Sequence, residues 1–244
     1  MISKARVKFI KSLQLKKYRK EEQCFVVEGA KSVSELLRSD FEVLWLAGTV
    51  AFFDAHGPLL AKRKIEVVET NGSELAQVGT FQTNDGAIAI ASIKPSVPLT
   101  VGDEFALLLD DIRDPGNLGT IVRTADWYGI KKIIASEETA DFYNPKVINA
   151  TMGSFCRVQT YYTSLPLYLV GTTLPVYGAF LDGADVHETK FSKSGLLVIG
   201  NEAQGISKEV EQRVTQRITI PKRGGAESLN ASVATAIILD NVFR

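Results

Sequence analysis

Cysteine and histidine are scarce in this sequence. Its 244 residues include two cysteines, Cys24 and Cys156, and two histidines, His56 and His187. The cysteines lie far apart and form no CxxC pair, so the sequence supports neither a disulfide framework nor a structural zinc site. We therefore expect a function that uses no metal ion.

Long hydrophobic runs are also absent. Apolar runs such as those at residues 105–109 and 236–239 are far shorter than the ~20 apolar residues that cross a bilayer. The basic N-terminus is not followed by the apolar stretch of a signal peptide. With 45% hydrophobic and 23% charged residues, the composition is typical of globular proteins. These features predict a cytoplasmic protein that does not enter membranes.

The fingerprints of several common enzyme classes are missing as well. The sequence contains no GxGxxG, GxxxxGK[ST], GxSxG or HExxH motif. These motifs bind dinucleotides or phosphates, present a nucleophilic serine, or hold a catalytic zinc ion. Nicotinamide-dependent reductases, P-loop proteins and the common hydrolases are therefore disfavoured.

Charge is balanced in total and uneven along the chain. The sequence has 28 basic and 28 acidic residues, yet the first twenty residues contain no acid. Val7, Ile10 and Leu13 recur at helical spacing there, which predicts an amphipathic helix with Ser3 as its N-cap. Such a cationic face suits an RNA backbone, although a solvated helix that only keeps the protein soluble is the alternative. The candidate RNA-binding residues are Lys4, Arg6, Lys8, Lys11, Lys16, Lys17, Arg19 and Lys20.

The chain divides into two predicted α/β domains. From residue 24 to residue 93, short apolar runs alternate with helical patterns, which indicates a small α/β domain. The segment 94–103, KPSVPLTVGD, holds two prolines and a glycine without periodicity and resembles a linker. We predict domains at 1–95 and 104–244, joined by a linker at 96–103.

The second domain has the pattern of a parallel sheet covered by helices. Its apolar runs at 105–109, 132–135, 176–180, 196–199 and 218–220 are hydrophobic almost throughout, as in strands buried on both faces. A helix predicted at 118–128 carries Arg123 opposite its apolar stripe. The final helix, 231–243, is apolar nearly all round. We expect its face of Ala234, Ile237, Ile238 and Val242 to be buried, within the chain or against a second subunit.

Three segments follow buried strands, at the edge where open α/β sheets bind ligands. They are DDIRDPGNLGTIVR (110–123), GNEAQGIS (200–207) and IPKRGGAESLNAS (220–232). Each segment alone also fits a capped turn, because Asn117 and Ser207, and either Ser228 or Asn230, are good N-cap residues. Glycines in the second segment permit tight, left-handed backbone beside a carboxylate.

Taken together and in this order, the three segments resemble the motifs of the SpoU/TrmH branch of the SPOUT RNA methyltransferases. The matching residues are Asn117, Gly119 and Arg123, then Gly200, Asn201, Glu202 and Gly205, then Ile220, Pro221, Ser228, Leu229, Asn230 and Ser232. Residues 8–29 are more loosely similar to the RNA-binding domain of that family. The sequence departs from the family pattern at Asn149, where arginine is common, and at Lys222-Arg223, where methionine is frequent. These departures bear on the substrate and leave the catalytic residues intact.

The resemblance implies a fold and a cofactor that periodicity could not reveal. It implies a C-terminal domain with a trefoil knot, a homodimer, and S-adenosylmethionine bound in the knot largely by backbone groups. By position, the implied cofactor-binding residues are Phe180, Leu181, Gly200, Asn201, Gly205, Ile220, Pro221, Ser228 and Leu229. The implied catalytic residues are Asn117, Arg123, Glu202, Ser228 and Asn230.

The implied activity is methylation of a ribose 2'-hydroxyl, in ribosomal RNA rather than in transfer RNA. Arg123 is a poor base because a guanidinium stays protonated above about pH 12. Our hypothesis is that Arg123 grips the phosphate next to the target ribose. An RNA-binding protein that has kept the methyltransferase scaffold and lost turnover is the alternative function.

Overall fold

The computed structural model describes all residues from 1 to 244, and its internal contacts separate two compact units. The first unit comprises Met1–Pro95 and Tyr143–Cys156, and the second comprises Ser96–Phe142 and Arg157–Arg244. The predicted break near residue 95 therefore agrees with the structure. The prediction was wrong for 143–156, which it assigned to the second domain. The predicted linker has no helix or strand and belongs to the second unit, where the carbonyl of Leu99 accepts a hydrogen bond from the Tyr168 hydroxyl at 2.7 Å.

The first unit is built on a four-stranded sheet of order β1-β4-β2-β3, in which only β2 and β3 are parallel. Its elements are α1 (Lys4–Ser12), α2 (Lys16–Glu22), β1 (Cys24–Glu28), α3 (Ala30–Arg38), β2 (Val43–Gly48), α4 (Val50–Leu60), β3 (Glu66–Glu69), α5 (Gly72–Val78), β4 (Ala87–Ser92) and, from later in the chain, α7 (Pro145–Thr151) with a short 3₁₀ turn, Ser154–Cys156.

Helix α1 forms as the sequence predicts. The side chain of Ser3 accepts a hydrogen bond from the backbone N–H of Arg6, which satisfies one of the free donors of the first turn. Ile10 is fully buried within the helix, and Leu13, at its C-cap, is fully buried as well. Both residues pack in the core around Trp45. The apolar stripe thus anchors the helix and leaves its lysines in solvent.

Aromatic packing explains why residues 143–156 join the first unit. The ring of Phe25 lies 4.7 Å from that of Tyr143 and 5.9 Å from that of Phe155, measured between centroids. Phe155 also contacts Phe41. Such ring pairs bury large apolar areas in favourable tilted and edge-on arrangements. The side chain of Asn149 adds a hydrogen bond to Thr80.

The second unit contains a six-stranded sheet of order β10-β8-β9-β5-β6-β7, and all its strand pairs are parallel. The parallel sheet predicted from the apolar runs is confirmed. Its elements are β5 (Phe105–Asp110), α6 (Pro115–Trp127), β6 (Lys132–Ala135), β7 (Gln159–Tyr162), α8 (Leu165–Tyr168), β8 (Val176–Asp185), β9 (Gly195–Gly200), α9 (Lys208–Glu211), β10 (Gln216–Thr219) and α10 (Ala231–Val242).

The largest differences from the prediction concern two strands of this sheet. Strand β7 was missed because it is a short edge strand whose residues are exposed or half-buried, and such a strand has no continuous apolar run. Strand β8 continues five residues beyond the predicted run, which ended at Phe180. Gly183 permits this extension, since a Cβ there would lie 2.8 Å from the backbone of Arg217 on β10.

The sheet has a topological switch point between β5 and β9, where the chain passes from one half of the sheet to the other. These adjacent strands end together, because Asp110 pairs with Gly200. Strands β6 and β7 lie on one side of this point, and β8 and β10 lie on the other. Parallel sheets bind ligands at the carboxyl ends of strands beside such a switch point. No helix in the structure is long and apolar enough to span a membrane.

Candidate active site

The first predicted segment brings Asn117 to the carboxyl edge of the sheet. Helix α6 begins at Pro115, and the side chain of Asp114 caps it by accepting a hydrogen bond from the backbone N–H of Asn117 at 2.8 Å. The prediction of Asn117 as the N-cap was therefore wrong. Because Asp114 does the capping, the amide of Asn117 is available for contacts with other segments.

Asn117 links all three segments through its side-chain amide. Its Nδ2 donates to Oε1 of Glu202 at 2.5 Å, and its Oδ1 accepts from Nδ2 of Asn230 at 2.8 Å. Asn230 caps α10, since its Oδ1 accepts from the backbone N–H groups of Ser232 and Val233. Of the two caps considered from the sequence, the structure thus selects Asn230. Three residues that are 85 and 113 positions apart in the chain meet in one hydrogen-bonded chain.

The second segment folds as a tight loop held by hydrogen bonds. Asn201 and Gly205 exchange two backbone hydrogen bonds, and Gly205 has a φ of +71°. Gly200 must lack a side chain because a Cβ there would lie 2.3 Å from the backbone of Gly205. The buried carboxylate of Asp110 accepts from the backbone N–H of Ser207 at 2.7 Å. Together these contacts fix the position of Glu202.

A cavity of about 580 Å³ opens beside this hydrogen-bonded chain. Its size lies within the usual range for small-molecule sites. Two apolar side chains of its lining are exposed, Leu181 at 79% and Leu229 at 45%. The structure places all nine predicted cofactor-binding residues in the lining: Phe180, Leu181, Gly200, Asn201, Gly205, Ile220, Pro221, Ser228 and Leu229. Ala234 and Ile238 of α10 complete the wall, and Ile238 is buried by its own unit.

One wall of the cavity holds a charged cluster that the sequence analysis missed. The guanidinium of Arg217 lies over the ring of Phe180, with Cζ 3.7 Å from the ring centroid. It donates hydrogen bonds to Asp182, at 2.5 Å, and to Glu211. The contact with Asp182, reinforced by Glu211, raises the pKa of Arg217. The cluster was missed because its members come from β8, α9 and β10 and form no local motif.

The remaining predicted catalytic residues differ in their positions. Ser228 lies in the cavity lining. Arg123 is exposed on α6, as the helical pattern predicted, and lies outside the lining. The structure therefore joins Asn117, Glu202 and Asn230 directly, and does not bring Arg123 into contact with them.

The basic face of the first unit contains fewer free cations than the sequence predicted. The lysines at 4, 8, 11, 16, 17 and 20 are exposed. Arg19 is only 2% exposed, and its guanidinium donates to the carbonyl oxygens of Leu13 and Gln14, both at 2.8 Å. Arg6 pairs with Glu66 at 2.9 Å and lies over the ring of Trp45. The placement of Arg19 on the RNA-binding face was therefore wrong, because this side chain ties α1 to α2 internally.

Comparison with known proteins is consistent with this arrangement. The model of the SpoU rRNA Methylase family matches residues 104–240, and that of the MRM3-like substrate binding domain matches residues 4–89. The 23S rRNA (guanosine(2553)-2'-O)-methyltransferase RlmP of Bacillus subtilis (strain 168) is 31% identical over 238 residues, which are 96% of this chain and 94% of the relative.

Solved structures agree over the whole chain. A structure from Porphyromonas gingivalis, described as an RNA methyltransferase of the TrmH family, has a TM-score of 0.87 and 38% identity, and the match covers 99% of this chain and 98% of that one. An rRNA methyltransferase from Sinorhizobium meliloti with bound AdoMet has a TM-score of 0.87 and 29% identity, and covers 99% and 96% of the two chains. The resemblance inferred from the three motifs is confirmed: the chain belongs to the SpoU rRNA methylase family.

Proposed function

We propose that this protein transfers a methyl group from S-adenosylmethionine to a ribose 2'-hydroxyl of 23S ribosomal RNA. The observation that carries the proposal is the hydrogen-bonded chain of Glu202, Asn117 and Asn230 at the side of a ligand-sized cavity. The substrate is taken from the Bacillus subtilis relative, whose name specifies 23S rRNA and 2'-O-methylation.

The cavity has the features that S-adenosylmethionine requires. Leu181 and Leu229 offer apolar surface to an adenine ring, and Gly205, where a Cβ would meet no atom within 4 Å, leaves the backbone of its loop open to close approach. The carboxylate of Glu202 favours a positively charged ligand. When bound, the cofactor supplies a methyl group activated by a sulfonium.

The residues of this chain orient the reactants. Asn117 fixes the carboxylate of Glu202 on one side and the start of α10 on the other, so these three residues keep one geometry relative to each other. Holding the hydroxyl oxygen in line with the methyl group lowers the activation barrier, because the two reactants are already in the orientation that the transfer needs. We assign Arg123, the exposed cation on the helix that carries Asn117, to the phosphate beside the target ribose.

The first unit is assigned to RNA binding, with its exposed lysines on the phosphate backbone. The match to a substrate-binding family over residues 4–89 supports this role. Family membership also leads us to propose the trefoil knot, a homodimer and a cytoplasmic location.

The proposal is tested by methyl transfer. In vitro, purified protein is incubated with tritiated S-adenosylmethionine and an unmodified 23S rRNA transcript. In a second experiment, ribose methylation of 23S rRNA is mapped in cells with and without the gene. We expect one ribose methylation to disappear in the deletion strain and to be restored in vitro. Asn117→Ala should abolish transfer, whereas Asn241→Ala, which removes an amide of the same unit outside the cavity, should not. RNA binding without methyl transfer by the unaltered protein would contradict the proposal and favour the non-catalytic alternative.

A further inference from the structure

The loop between β10 and α10, residues 221–229, combines two unusual properties. Its residues are exposed or half-buried, and none of them takes part in a hydrogen bond. A Cβ at Gly224 or Gly225 would find no atom within 4 Å, so nothing packs against the centre of the loop. Lys222 and Arg223 nevertheless line the cavity.

These two side chains are the unpaired cations of the cavity. Arg217, the third basic residue in the lining, is neutralised by Asp182 and Glu211. Lys222 and Arg223 form no ion pair and no hydrogen bond. Glu227 is the only acid of the loop and also lines the cavity, so two cations of the loop stand against one carboxylate. A loop with a net positive charge at a cavity attracts an anion.

The cofactor does not provide such an anion, because its net charge is positive. S-adenosylmethionine carries a sulfonium and an ammonium against a single carboxylate, so two more cations bring it no net electrostatic gain. The other reactant is a polyanion, and its target ribose must reach the same cavity with a phosphate on either side. Arg and Lys are the residues that most often contact nucleic-acid phosphates.

We propose that Lys222 and Arg223 bind the phosphates that flank the target ribose and so position the RNA strand at the cavity. This inference rests on the proposed function and extends it to a second RNA contact, separate from the lysines of α1 and α2. Arg223 provides a planar fork for a phosphate, and Lys222 provides a point charge. The two glycines let the loop adjust to the strand that it binds.

The test compares two double variants with the same loss of charge. Lys222→Met with Arg223→Gln removes the proposed contacts. Lys190→Met with Lys193→Gln removes two exposed cations of the same unit outside the cavity. Initial rates of tritiated methyl transfer to an unmodified 23S rRNA transcript are measured over a range of salt concentrations, and S-adenosylmethionine binding is measured by calorimetry without RNA.

For the 222/223 variant we expect the KM for RNA to rise about tenfold, as for the loss of a charged hydrogen bond. The slope of log KM against log salt should fall by about 0.7 for each single-strand phosphate that the variant no longer binds. Cofactor affinity should not change, and the 190/193 control should behave as the unaltered protein. The exchange variant, Lys222→Arg with Arg223→Lys, should keep a KM for RNA close to that of the unaltered protein, because both charges remain.

Two results would overturn the inference. An unchanged KM and salt slope would show that the two cations do not contact RNA. A loss of cofactor affinity in calorimetry would assign them to the carboxylate of S-adenosylmethionine. If the unaltered protein transfers no methyl group, the proposed function fails separately, and filter binding of the same transcript then decides the inference by the same difference in salt slope.

Discussion

At the scale of single residues, Asn117 shows what the sequence could predict and what it could not. Its motif placed it among the catalytic residues, and the structure joins it to Glu202 and Asn230. Its capping role was wrong because Asp114, three residues earlier, takes the N-cap position. Local preference allowed both residues as caps. The choice depends on partners 85 and 113 residues away, which no local pattern contains.

The charge of Glu202 gives a first prediction at this scale. Glu202→Gln keeps an oxygen to accept from Asn117 and removes the negative charge. If the carboxylate faces the sulfonium, affinity for S-adenosylmethionine should fall at least about tenfold, since opposite charges about 4 Å apart attract each other by about 1 kcal/mol in water and by about 4 kcal/mol near a protein surface. S-adenosylhomocysteine, whose sulfur is neutral, should bind with little change. Calorimetry with both ligands measures the difference, and an equal loss for the two would assign Glu202 to loop geometry alone.

Arg123 gives a second prediction. Its side chain is exposed and lies outside the cavity lining, so Arg123→Ala should change the free energy of unfolding by at most about 0.5 kcal/mol. Cofactor binding should persist while methyl transfer is lost. Arg123→Lys should also fail, because an ammonium cannot reproduce a forked phosphate contact. Unaltered turnover in Arg123→Ala would end the catalytic assignment, and full activity in Arg123→Lys would end only the forked contact.

At the scale of elements, burial on both faces made the sheet of the second unit predictable. Strands β5 and β9 are buried almost throughout, and their continuous apolar runs indicated a parallel sheet. The same criterion missed β7, which is half-exposed at the sheet edge. The cluster around Arg217 was equally invisible, because strand pairing between β8 and β10 creates it. A strand of this sheet is therefore predictable when its own residues form a continuous apolar run.

Helices α1 and α2 carry a third prediction, which separates charge from structure. Substituting Lys16, Lys17 and Lys20 with glutamine should leave stability unchanged, because all three are exposed. The slope of log affinity for RNA against log salt should fall by about 0.7–0.9 for each phosphate that these lysines bind in the unaltered protein.

Arg19 is the matched contrast on the same helices. Arg19→Gln should lower the free energy of unfolding by about 1–3 kcal/mol, because one buried and one part-buried carbonyl group lose their donor. The slope of log affinity for RNA against log salt should be the same for Arg19→Gln as for the unaltered protein when both are folded. Urea denaturation and filter binding measure the two effects. A change of slope in Arg19→Gln without loss of stability would return this residue to the RNA-binding face.

At the scale of the whole molecule, the sequence predicts where the first unit breaks but not that residues 143–156 belong to it. The break near residue 95 follows from the prolines and glycine of the linker, and the structure agrees with it. Residues 143–156 return to the first unit because Tyr143 and Phe155 pack against Phe25. A compositional change marks a linker, whereas this return leaves no such mark. A fragment that begins near residue 100 would therefore carry an aromatic segment that has lost its partners.

The last prediction concerns self-association through α6 and α10, which pack against each other in the second unit. Both helices expose apolar side chains: Trp127 is 84% exposed, Val233 47% and, at the end of α10, Phe243 46%. Of the α10 face predicted to be buried, only Ile238 is fully covered within its own unit, while Ala234, Ile237 and Val242 are half-buried. Apolar surface of this kind on adjacent helices is typical of a subunit interface.

We therefore expect a dimer by light scattering at micromolar concentration, and a monomer for Val233→Asp. Leu167→Asp, at a 73% exposed apolar position on α8, is the control and should remain dimeric. Circular dichroism should show that both variants are folded, because an exposed substitution changes stability by about 0.5 kcal/mol or less. A monomeric unaltered protein would refute the homodimer. A dimer that persists in Val233→Asp and dissociates in Leu167→Asp would move the interface away from α10, since a charge disrupts association only where it is buried on binding.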